Sequence, residues 1–563
     1  GGGGAWRGGG GLGRVAACML AGDRGYSTAP SVSDDEAAAP RMSSSEEDRT
    51  EDSLLLRKHR SEAGGAAPTL DEMLDHVGLG RWNVTIIWIM GLGNAADAVE
   101  AMCMGFILPE LPDAPAAQRG FLSAAIFIGM LFGGLLCGMI ADRLGRRPCL
   151  LLSLGITGAF GLLSAAMPTW NSVAICRVGA GFGVGGAVPA TFTLGIECVP
   201  RARRGLMQNI IAAHWMVGTV FTAALAWWLL GQQHAASGSD SLAPAPTPAD
   251  AMAGVARWRI FAALCAAPSA LAFGLVYALV PESPRFLFVQ GRCTEALAVL
   301  NRGAAIHGRP ALSVRLEDLG PRRAHVQRSF KQHVEVLLAP PLRRTFVLLA
   351  GGWTALNFGW YGLQAWLPTI FTNLGLERSA YEDAFFTSAA NLPGNLFAMA
   401  LVDRVGRKSQ LAGSTAVSAV VGVCFAFADS QLTALAAACL FNAASVGAWN
   451  SLDCLSSESF PTELRATALA VLAASGRLGS TAAQFVNAAL VERSVALLLL
   501  TSAAAMLLAS VLTMLLPLET AGAALEDTVA GAEGGEASEP ELQEAVLKES
   551  STQRRAVSDS GRP

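Results

Sequence analysis

The sequence DRLGRR at residues 142–147 recurs almost unchanged as DRVGRK at residues 403–408. Each copy directly follows an apolar run of near membrane-spanning length. A second motif repeats with the same offset, because Glu197 and Glu458 are 261 residues apart, as are Asp142 and Asp403. Two separate motifs that share one offset indicate an internal duplication. The sequence therefore predicts two similar halves related by a pseudo-twofold axis along the membrane normal.

The composition agrees with a membrane protein. Hydrophobic residues make up 52% of the chain and charged residues 15%, whereas soluble proteins average about 25% charged residues. A bilayer core of roughly 30 Å needs about 20 apolar residues per helix. We predict an all-α membrane protein with twelve transmembrane helices in two pseudo-symmetric six-helix bundles. The predicted spans are residues 83–108, 119–141, 148–167, 171–195, 206–230 and 257–280, then 345–371, 382–402, 410–428, 431–455, 466–490 and 494–516.

The basic residues predict the orientation. The loops after the even-numbered spans (142–147, 201–204, 282–344, 404–408 and 463–467) hold 21 Lys and Arg, whereas the opposite loops hold only Arg119, Arg378 and Arg493. Positively charged loops stay on the cytoplasmic side of a membrane. Both termini are therefore expected in the cytoplasm, in a multi-pass protein whose particular membrane the sequence leaves open.

The same patterns predict the domain boundaries. Residues 1–69 are expected to be a disordered cytoplasmic tail, 70–281 the N-terminal six-helix bundle and 282–344 a cytoplasmic central loop. Residues 345–517 are expected to form the C-terminal bundle, and residues 518–563 an acidic disordered tail. The Gly-rich, Arg-containing start of the chain also fits an organelle-targeting remnant.

Several classes of function find no support in the sequence. No CxxC pair, metal-ligand spacing, phosphate-binding loop or catalytic triad occurs. We therefore expect neither an enzyme nor a bound metal or cofactor. The basic residues lie in short loops, so no nucleic acid partner is expected. The expected partners are a small organic solute, a proton or cation as coupling ion, and the lipid bilayer, with the protein acting as a monomer.

The repeated loops are expected to control the cytoplasmic ends of the helices. Carboxylates and guanidiniums there can pair, and these pairs must break when the two halves move. Positive-inside anchoring alone would explain the arginines but not the fixed acids and glycines. The predicted gating residues are Gly138, Asp142, Arg143, Gly145, Arg146, Arg147, Glu197 and Arg204 in the first half, and Asp403, Arg404, Gly406, Arg407, Glu458 and Arg465 in the second.

These motifs resemble those of the major facilitator superfamily. The stretches 138–147, 177–185, 281–287, 461–465 and 517–522 are similar to signature sequences of its sugar and organic-ion carriers. The stretch 70–82, followed by Asp97 and Glu100, resembles the synaptic-vesicle-protein-related carriers, a group that includes nicotinate and organic ion transporters. The resemblance covers about residues 70–522 and implies alternating access between two bundles. The second copy departs from the pattern, with Met399 in place of Gly138.

Two acids mark the candidate site. Asp97 and Glu100 lie halfway along the first span, and their i, i+3 spacing puts them on one helical face. Carboxylates at membrane depth usually face a polar cavity, so we expect both to face the central cavity and to take up a proton or attract a cation. The alternative is a salt bridge to Arg177. Arg177 could itself reach the outer interface, or bind an anionic substrate.

Further candidates lie in the second half. Trp360, Tyr361 and Gln364 of the seventh span combine apolar bodies with hydrogen-bonding ends, which suits the wall of a site for a flat organic molecule. Asn450 of the tenth span is also a candidate. We predict a secondary active transporter for a nicotinate-like organic acid or an organic cation, coupled to protons or cations. The alternatives are a sugar or polyol carrier, and a non-transporting receptor or vesicle protein on the same scaffold.

Overall fold

The computed structural model describes residues 69–111, 114–231, 248–312, 330–340, 342–374, 380–517 and 519. The predicted tails lie outside the described residues, apart from residues 69 and 519, and so do the side chains of Asp142 and Asp403. All described helices belong to one compact unit. Within the described ranges every regular element is helical.

The first half contains six long helices and a short one before them. Their bounds are α1 Leu70–Val77, α2 Arg81–Ile107, α3 Ala116–Leu144, α4 Arg146–Ala166, α5 Trp170–Glu197, α6 Arg204–Leu229 and α7 Pro248–Leu279. Three shorter helices follow, α8 Pro284–Val289, α9 Cys293–Ile306 and α10 Phe330–Leu337. They belong to the stretch predicted as a central loop.

The second half repeats this order. Its helices are α11 Arg343–Asn373, α12 Ala380–Ala389, α13 Asn391–Val405, α14 Arg407–Ala426, α15 Gln431–Glu458, α16 Thr462–Val491 and α17 Val495–Met514. Within the first half α3 packs on α5, and α2 on α6; within the second half α14 packs on α15, and α11 on α16. The halves meet where α3 packs on α16, α6 on α12 and α2 on α11.

The eighth span differs from the prediction of one helix over residues 382–402. The structure divides it into α12 and α13 at Ala390. Pro393 lies in the first turn of α13. Proline lacks the N–H that would continue the hydrogen-bond ladder of α12, and its ring clashes with the carbonyl four residues earlier. The helix therefore ends and restarts here.

Nine of the described helices are long and apolar enough to cross a membrane. Three predicted spans fall outside that group. One is broken into α12 and α13, and the other two, α11 and α16, carry buried polar groups. Asn357 of α11 and Gln484 and Asn487 of α16 are all buried inside the protein. Polar side chains that face other helices lower the hydropathy of a span without exposing polar groups to lipid.

Close backbone contact between α3 and α5 holds the centre of the first half. A Cβ added at Gly129 or Gly133 of α3 would lie 2.1 Å or 2.0 Å from a carbonyl oxygen of α5. The reverse holds for Gly181 and Gly185 of α5, at 2.1 Å and 2.3 Å from carbonyl oxygens of α3. Both helices thus carry the small-xxx-small spacing that allows close helix contact in membranes.

We expect Gly181→Ala to destabilise the protein, since the new methyl group would collide with the Ile126 carbonyl. Overpacking of this kind costs about 1–3 kcal/mol. Thermal unfolding of the purified protein in detergent would measure the change. Gly274→Ala is the matched control, because no atom lies within 4 Å of its Cβ position. Equal melting temperatures for both variants would contradict the packing role.

Candidate functional site

Asp97 lies midway along α2 and is completely buried. Neither carboxylate oxygen has a hydrogen-bond partner among the described residues. Glu100 and Arg477 are the charged groups close enough to interact with it electrostatically, and Arg477 belongs to α16 of the other half. Asp97 therefore faces protein at the boundary between the halves, and not lipid.

Glu100 has a different environment. Its Oε2 lies 2.6 Å from Nη1 of Arg177, and Nη2 of Arg177 donates to the Glu100 carbonyl oxygen at 3.1 Å. Both side chains are at most 1% exposed. A Cβ at Gly161 of α4 would lie 2.3 Å from the other Glu100 oxygen, so this glycine makes room for the carboxylate. The pair is enclosed by α2, α4 and α5.

The structure places Asp97 and Glu100 in different environments, although the sequence predicted both on one helical face. Glu100 forms the alternative ion pair with Arg177 inside the first half instead of facing the space between the halves. Arg177 is buried and paired, so it does not extend to the outer interface. An i, i+3 spacing turns a side chain by about 60° around the helix axis. That angle is enough for one acid to face the bundle core and the other to face α16.

Aromatic side chains of α11 and α15 form a cluster that we define as Trp353, Trp360, Tyr361 and Trp449. Trp449 lies 5.7 Å from Trp360 and 5.8 Å from Tyr361 between ring centroids, and 6.1 Å from Trp353. Phe127 of α3 contacts Tyr361 at 5.0 Å. The indole nitrogens of Trp360 and Trp449 are buried and have no hydrogen-bond partner among the described residues. The aromatic cluster thus offers two free N–H donors.

The side-chain amides of two predicted site residues, Gln364 and Asn450, already form hydrogen bonds with other amides. Nδ2 of Asn442 donates to Oε1 of Gln364 at 3.1 Å, and Nδ2 of Asn450 donates to Oδ1 of Asn395 at 2.8 Å. Gln364 also lines a small cavity with Met102, Thr219 and Ser388. This cavity lies where α2, α6, α11 and α12 meet. Asn450 is directed towards α13, apart from that cavity.

Arg477 is a functional candidate that the sequence reasoning missed. It lies in the middle of α16, its guanidinium is 5.4 Å from the centroid of Tyr361, and its buried Nη1 has no hydrogen-bond partner among the described residues. Asp97 and Asp453 are both within electrostatic reach. A lone arginine at membrane depth is itself a signal of function, and this rule, applied to the eleventh span, would have identified it.

The repeated motifs form the same contact twice. Nε of Arg146 lies 3.5 Å from Glu197, and Nε of Arg407, its counterpart, lies 3.4 Å from Glu458. Each of these pairs lies within one half. The motif arginines Arg143 and Arg404 are exposed. Arg204 pairs with Asp71 at 2.6 Å, whereas Arg465 donates to the Phe460 carbonyl oxygen at 3.4 Å.

The two motif glycines have a clear physical role. Gly145 and Gly406 have φ angles of 111° and 93°, which disfavour other residues. Their missing side chains also let a carboxylate approach the start of the next helix. Glu282 accepts hydrogen bonds from the backbone N–H groups of Arg146 and Arg147, both at 3.1 Å. Glu519 does the same for Arg407, at 2.9 Å. Gly138, in contrast, has no atom within 4 Å of its Cβ position.

At the end opposite the repeated motifs, polar contacts join the two halves. Arg119 of α3 forms an ion pair with Glu492, just after α16. The Tyr381 hydroxyl of α12 donates to Glu110, just after α2, at 2.6 Å. These contacts close the end of the molecule that the sequence assigns to the outer side.

Comparison with known proteins identifies the family. The model of the family described as "Sugar (and other) transporter" matches residues 38–530. The chain belongs to this family. It is an integral membrane transport protein with the major facilitator fold, as the sequence predicted, and its family and structural neighbours are transporters and not enzymes.

The chain is also similar to individual proteins. It is 26% identical to human synaptic vesicle glycoprotein 2A, over 84% of this chain and 81% of that protein. It is 22% identical to mouse synaptic vesicle glycoprotein 2C, over 82% of each. The inward-open structure of the xylose transporter XylE from E. coli superposes with a TM-score of 0.61 at 19% identity, over 80% of this chain and 99% of that one.

We expect Glu100→Met to destabilise the protein by about 3–5 kcal/mol, because it leaves the buried Arg177 charge unpaired. The double variant Glu100→Met with Arg177→Met removes both charges and should regain most of that stability. Thermal unfolding in detergent would measure both variants. If the double variant is no more stable than the single one, the buried ion pair is not the cause of the loss.

Proposed function

We propose that this protein is a secondary active transporter that moves a small organic acid by alternating access and is coupled to protons. The single observation that carries the proposal is Asp97, a completely buried carboxyl group without a hydrogen-bond partner among the described residues. An ionised carboxylate without a partner is costly to bury, and the protonated form costs much less. Asp97 can therefore bind a proton in one conformation and release it where water reaches the site.

The position of Asp97 supports coupling between that proton and movement of the halves. Its charged neighbour Arg477 belongs to the second half. Separation of the halves on one side of the membrane would change the distance between these groups, so the charge on Asp97 and the conformation depend on each other. One structural neighbour is named a D-xylose–proton symporter, which agrees with this coupling.

Free donors favour an anionic substrate over a cation. Nη1 of Arg477 and the indole N–H groups of Trp360 and Trp449 are buried donors without acceptors among the described residues. Buried donors normally have partners, and a carboxylate supplies acceptors for several of them. The faces of Tyr361 and Trp449 would stack on a flat ring. A small aromatic acid of the nicotinate type combines both features.

Carriage of a sugar or polyol is a second candidate. Gln364, Asn442, Asn450 and Asn395 lie in the second half, and amide side chains bind hydroxyl groups well. These amides already bind each other in pairs, which leaves fewer of their groups for a substrate.

Similarity to synaptic vesicle glycoproteins adds the alternative of a vesicle component that does not transport. We propose a monomer with both termini in the cytoplasm.

We further propose that the repeated cytoplasmic motifs set the two ends of the transport cycle. In this structure the outer ends are joined by Arg119 and Glu492, while Arg146–Glu197 and Arg407–Glu458 each stay within one half. This arrangement suits an inward-facing state. In the outward-facing state the cytoplasmic ends would come together, and the exposed arginines Arg143 and Arg404 are placed to form contacts across the halves.

Uptake into proteoliposomes tests the function directly. Labelled organic acids, organic cations and sugars would be offered with and without an inward proton gradient. We expect accumulation of an organic acid that rises with the gradient. Accumulation of sugars alone would favour the second candidate, and no net flux of any solute would favour a vesicle component.

For Asp97→Asn we expect loss of gradient-driven accumulation, because the amide cannot release a proton. Exchange of labelled for unlabelled substrate should continue, since exchange needs no net proton movement. Comparison of the two assays between pH 5.5 and pH 8 would measure the effect. Accumulation with an unchanged pH dependence would remove Asp97 from the coupling step.

For Arg477→Gln we expect KM for the organic acid to rise at least about tenfold, since a hydrogen bond to a charged group contributes about 1.5–3 kcal/mol. Arg493→Gln is the matched control, because Arg493 is exposed beyond the end of α16. Both variants would be measured in the same initial-rate uptake assay. An equal KM for the two variants would argue against recognition of the anion by Arg477.

A further inference from the structure

Among the described helices, α3 and α16 form the most extensive contact between the two halves. A hydrogen bond lies inside this contact, where Oγ of Ser123 donates to Oε1 of Gln484 at 2.6 Å. Ser123 is 2% exposed, and Gln484 is completely buried. Gly120, about one turn before Ser123, lets the helices approach, since a Cβ there would lie 3.0 Å from the side chain of Ala488. The bond therefore joins the halves away from solvent.

The side-chain amide of Gln484 also holds two residues of α11. Its Oε1 accepts a second hydrogen bond, from Nε1 of Trp366 at 2.9 Å. Its Nε2 donates to the carbonyl oxygen of Tyr361 at 3.3 Å, and to that of Ser480 on its own helix at 3.2 Å. A glutamine amide can accept two hydrogen bonds and donate two. Each of these four positions is thus occupied in Gln484.

The partners determine which way the amide points. An indole N–H only donates, so the oxygen of Gln484 must face Trp366. Carbonyl oxygens only accept, so its nitrogen must face Tyr361 and Ser480. A flipped amide would lose the bonds to Trp366, Tyr361 and Ser480. The hydroxyl of Ser123 meets the oxygen and is therefore the donor in the bond between the halves.

Tyr361 connects this contact with the proposed solute site. Phe127, about one turn after Ser123 on α3, lies 5.0 Å from the Tyr361 ring between centroids. The guanidinium of Arg477 lies 5.4 Å from the centroid of the same ring. Gln484 thus binds the backbone of Tyr361, while α3 of the other half packs on its side chain.

We propose that Gln484 is a positioning residue, which couples the contact between the halves to the placement of Tyr361 in the solute site. Ser123 and Phe127 are four residues apart and lie on one face of α3, so both leave the second half when α3 and α16 separate. Oε1 of Gln484 then keeps one of its two bonds, and the Tyr361 ring loses its contact with Phe127. The coupling rests on the alternating access proposed above and holds for any solute.

Separation of the halves can be measured at two ends of the molecule. The closed end is the one where Arg119 and Glu492 join the halves, and the motif end is the one that carries the repeated motifs. Halves that part at one end approach each other at the other end when they move as rigid bodies. Loosening of a local contact would open the closed end alone.

Distances between spin labels would give the populations of the two states without any solute. Labels on an introduced keto amino acid avoid the native cysteines. One pair, at Ala117 and Arg493, reports the closed end, and a second pair, at Leu144 and Ala466, reports the motif end; all four residues are exposed. Double electron–electron resonance on the full-length protein in lipid nanodiscs would measure both pairs.

For Ser123→Ala we expect the ratio of open to closed molecules at the closed end to rise about fivefold over the wild-type protein, the change expected for loss of one hydrogen bond. The population with close motif ends should rise by the same factor. Ser164→Ala is the matched control and should change neither ratio, because this buried hydroxyl donates to Gly161 within its own helix at 2.6 Å. Equal ratios in the wild type and Ser123→Ala, or opening at the closed end alone, would overturn the coupling.

Gln484→Met separates the positioning of α11 from the contact between the halves. It removes the bonds to Trp366 and Tyr361, which Ser123→Ala leaves in place. Hydrogen exchange over residues 361–367 should therefore be at least about fivefold faster in Gln484→Met than in Ser123→Ala. Equal exchange in the two variants would overturn the positioning role. Absence of solute uptake would contradict the transport proposal without changing these measurements, so the two proposals fail separately.

Discussion

The fold of this protein depends on the cost of placing charge among apolar helices. A charged side chain in that environment must be paired, hydrated or neutralised. Glu100 and Arg177 meet this requirement by pairing, and they join α2 to α5 inside the first half. Asp97, one turn earlier on α2, has no such partner among the described residues. The difference between these two acids separates a structural ion pair from the group that we propose binds and releases a proton.

The two duplicated halves differ in how they place charged, small and polar side chains. Both carry the repeated pair, Arg146–Glu197 and Arg407–Glu458, with nearly equal distances. The first half buries its charges and packs α3 on α5 through interlocking glycines. The second half instead has Asn442 at the position equivalent to Gly181, and its eighth span is broken before Pro393. The second half also contains the aromatic cluster and the hydrogen-bonded amides of Gln364, Asn442, Asn450 and Asn395. In the proposed transport cycle the first half supplies the proton-binding group and the second half supplies the wall of the substrate site.

The contacts between the halves show which end of the molecule is closed in this conformation. Arg119–Glu492 and Tyr381–Glu110 join the halves at one end, whereas the paired charges of the repeated motifs at the other end stay within each half. Ion pairs near a surface contribute little stability individually. Their small contribution suits contacts that must form and break during each cycle. A transporter needs its two states to be close in free energy, and interfaces closed by a few polar contacts satisfy that need.

Much of the fold was predictable from the sequence because it rests on periodic and local features. Apolar length determines spans, and the repeated offset of 261 residues between Asp142 and Asp403 determines the duplication. The acids and Arg177 were found because charge is rare within spans. The break at Ala390 was missed, although Pro393 was a local signal for it.

The pairing of side chains could only be decided by the tertiary structure. An i, i+3 spacing places Asp97 and Glu100 on neighbouring faces, but only the packed helices show that Arg177 takes Glu100 and leaves Asp97 facing Arg477. His307 likewise meets Val77 at a separation of 230 residues. The sequence by itself determined the helices and their duplication, since these follow from patterns within short segments. The contacts between distant segments depend on helix rotation and close approach, which no short segment of sequence determines.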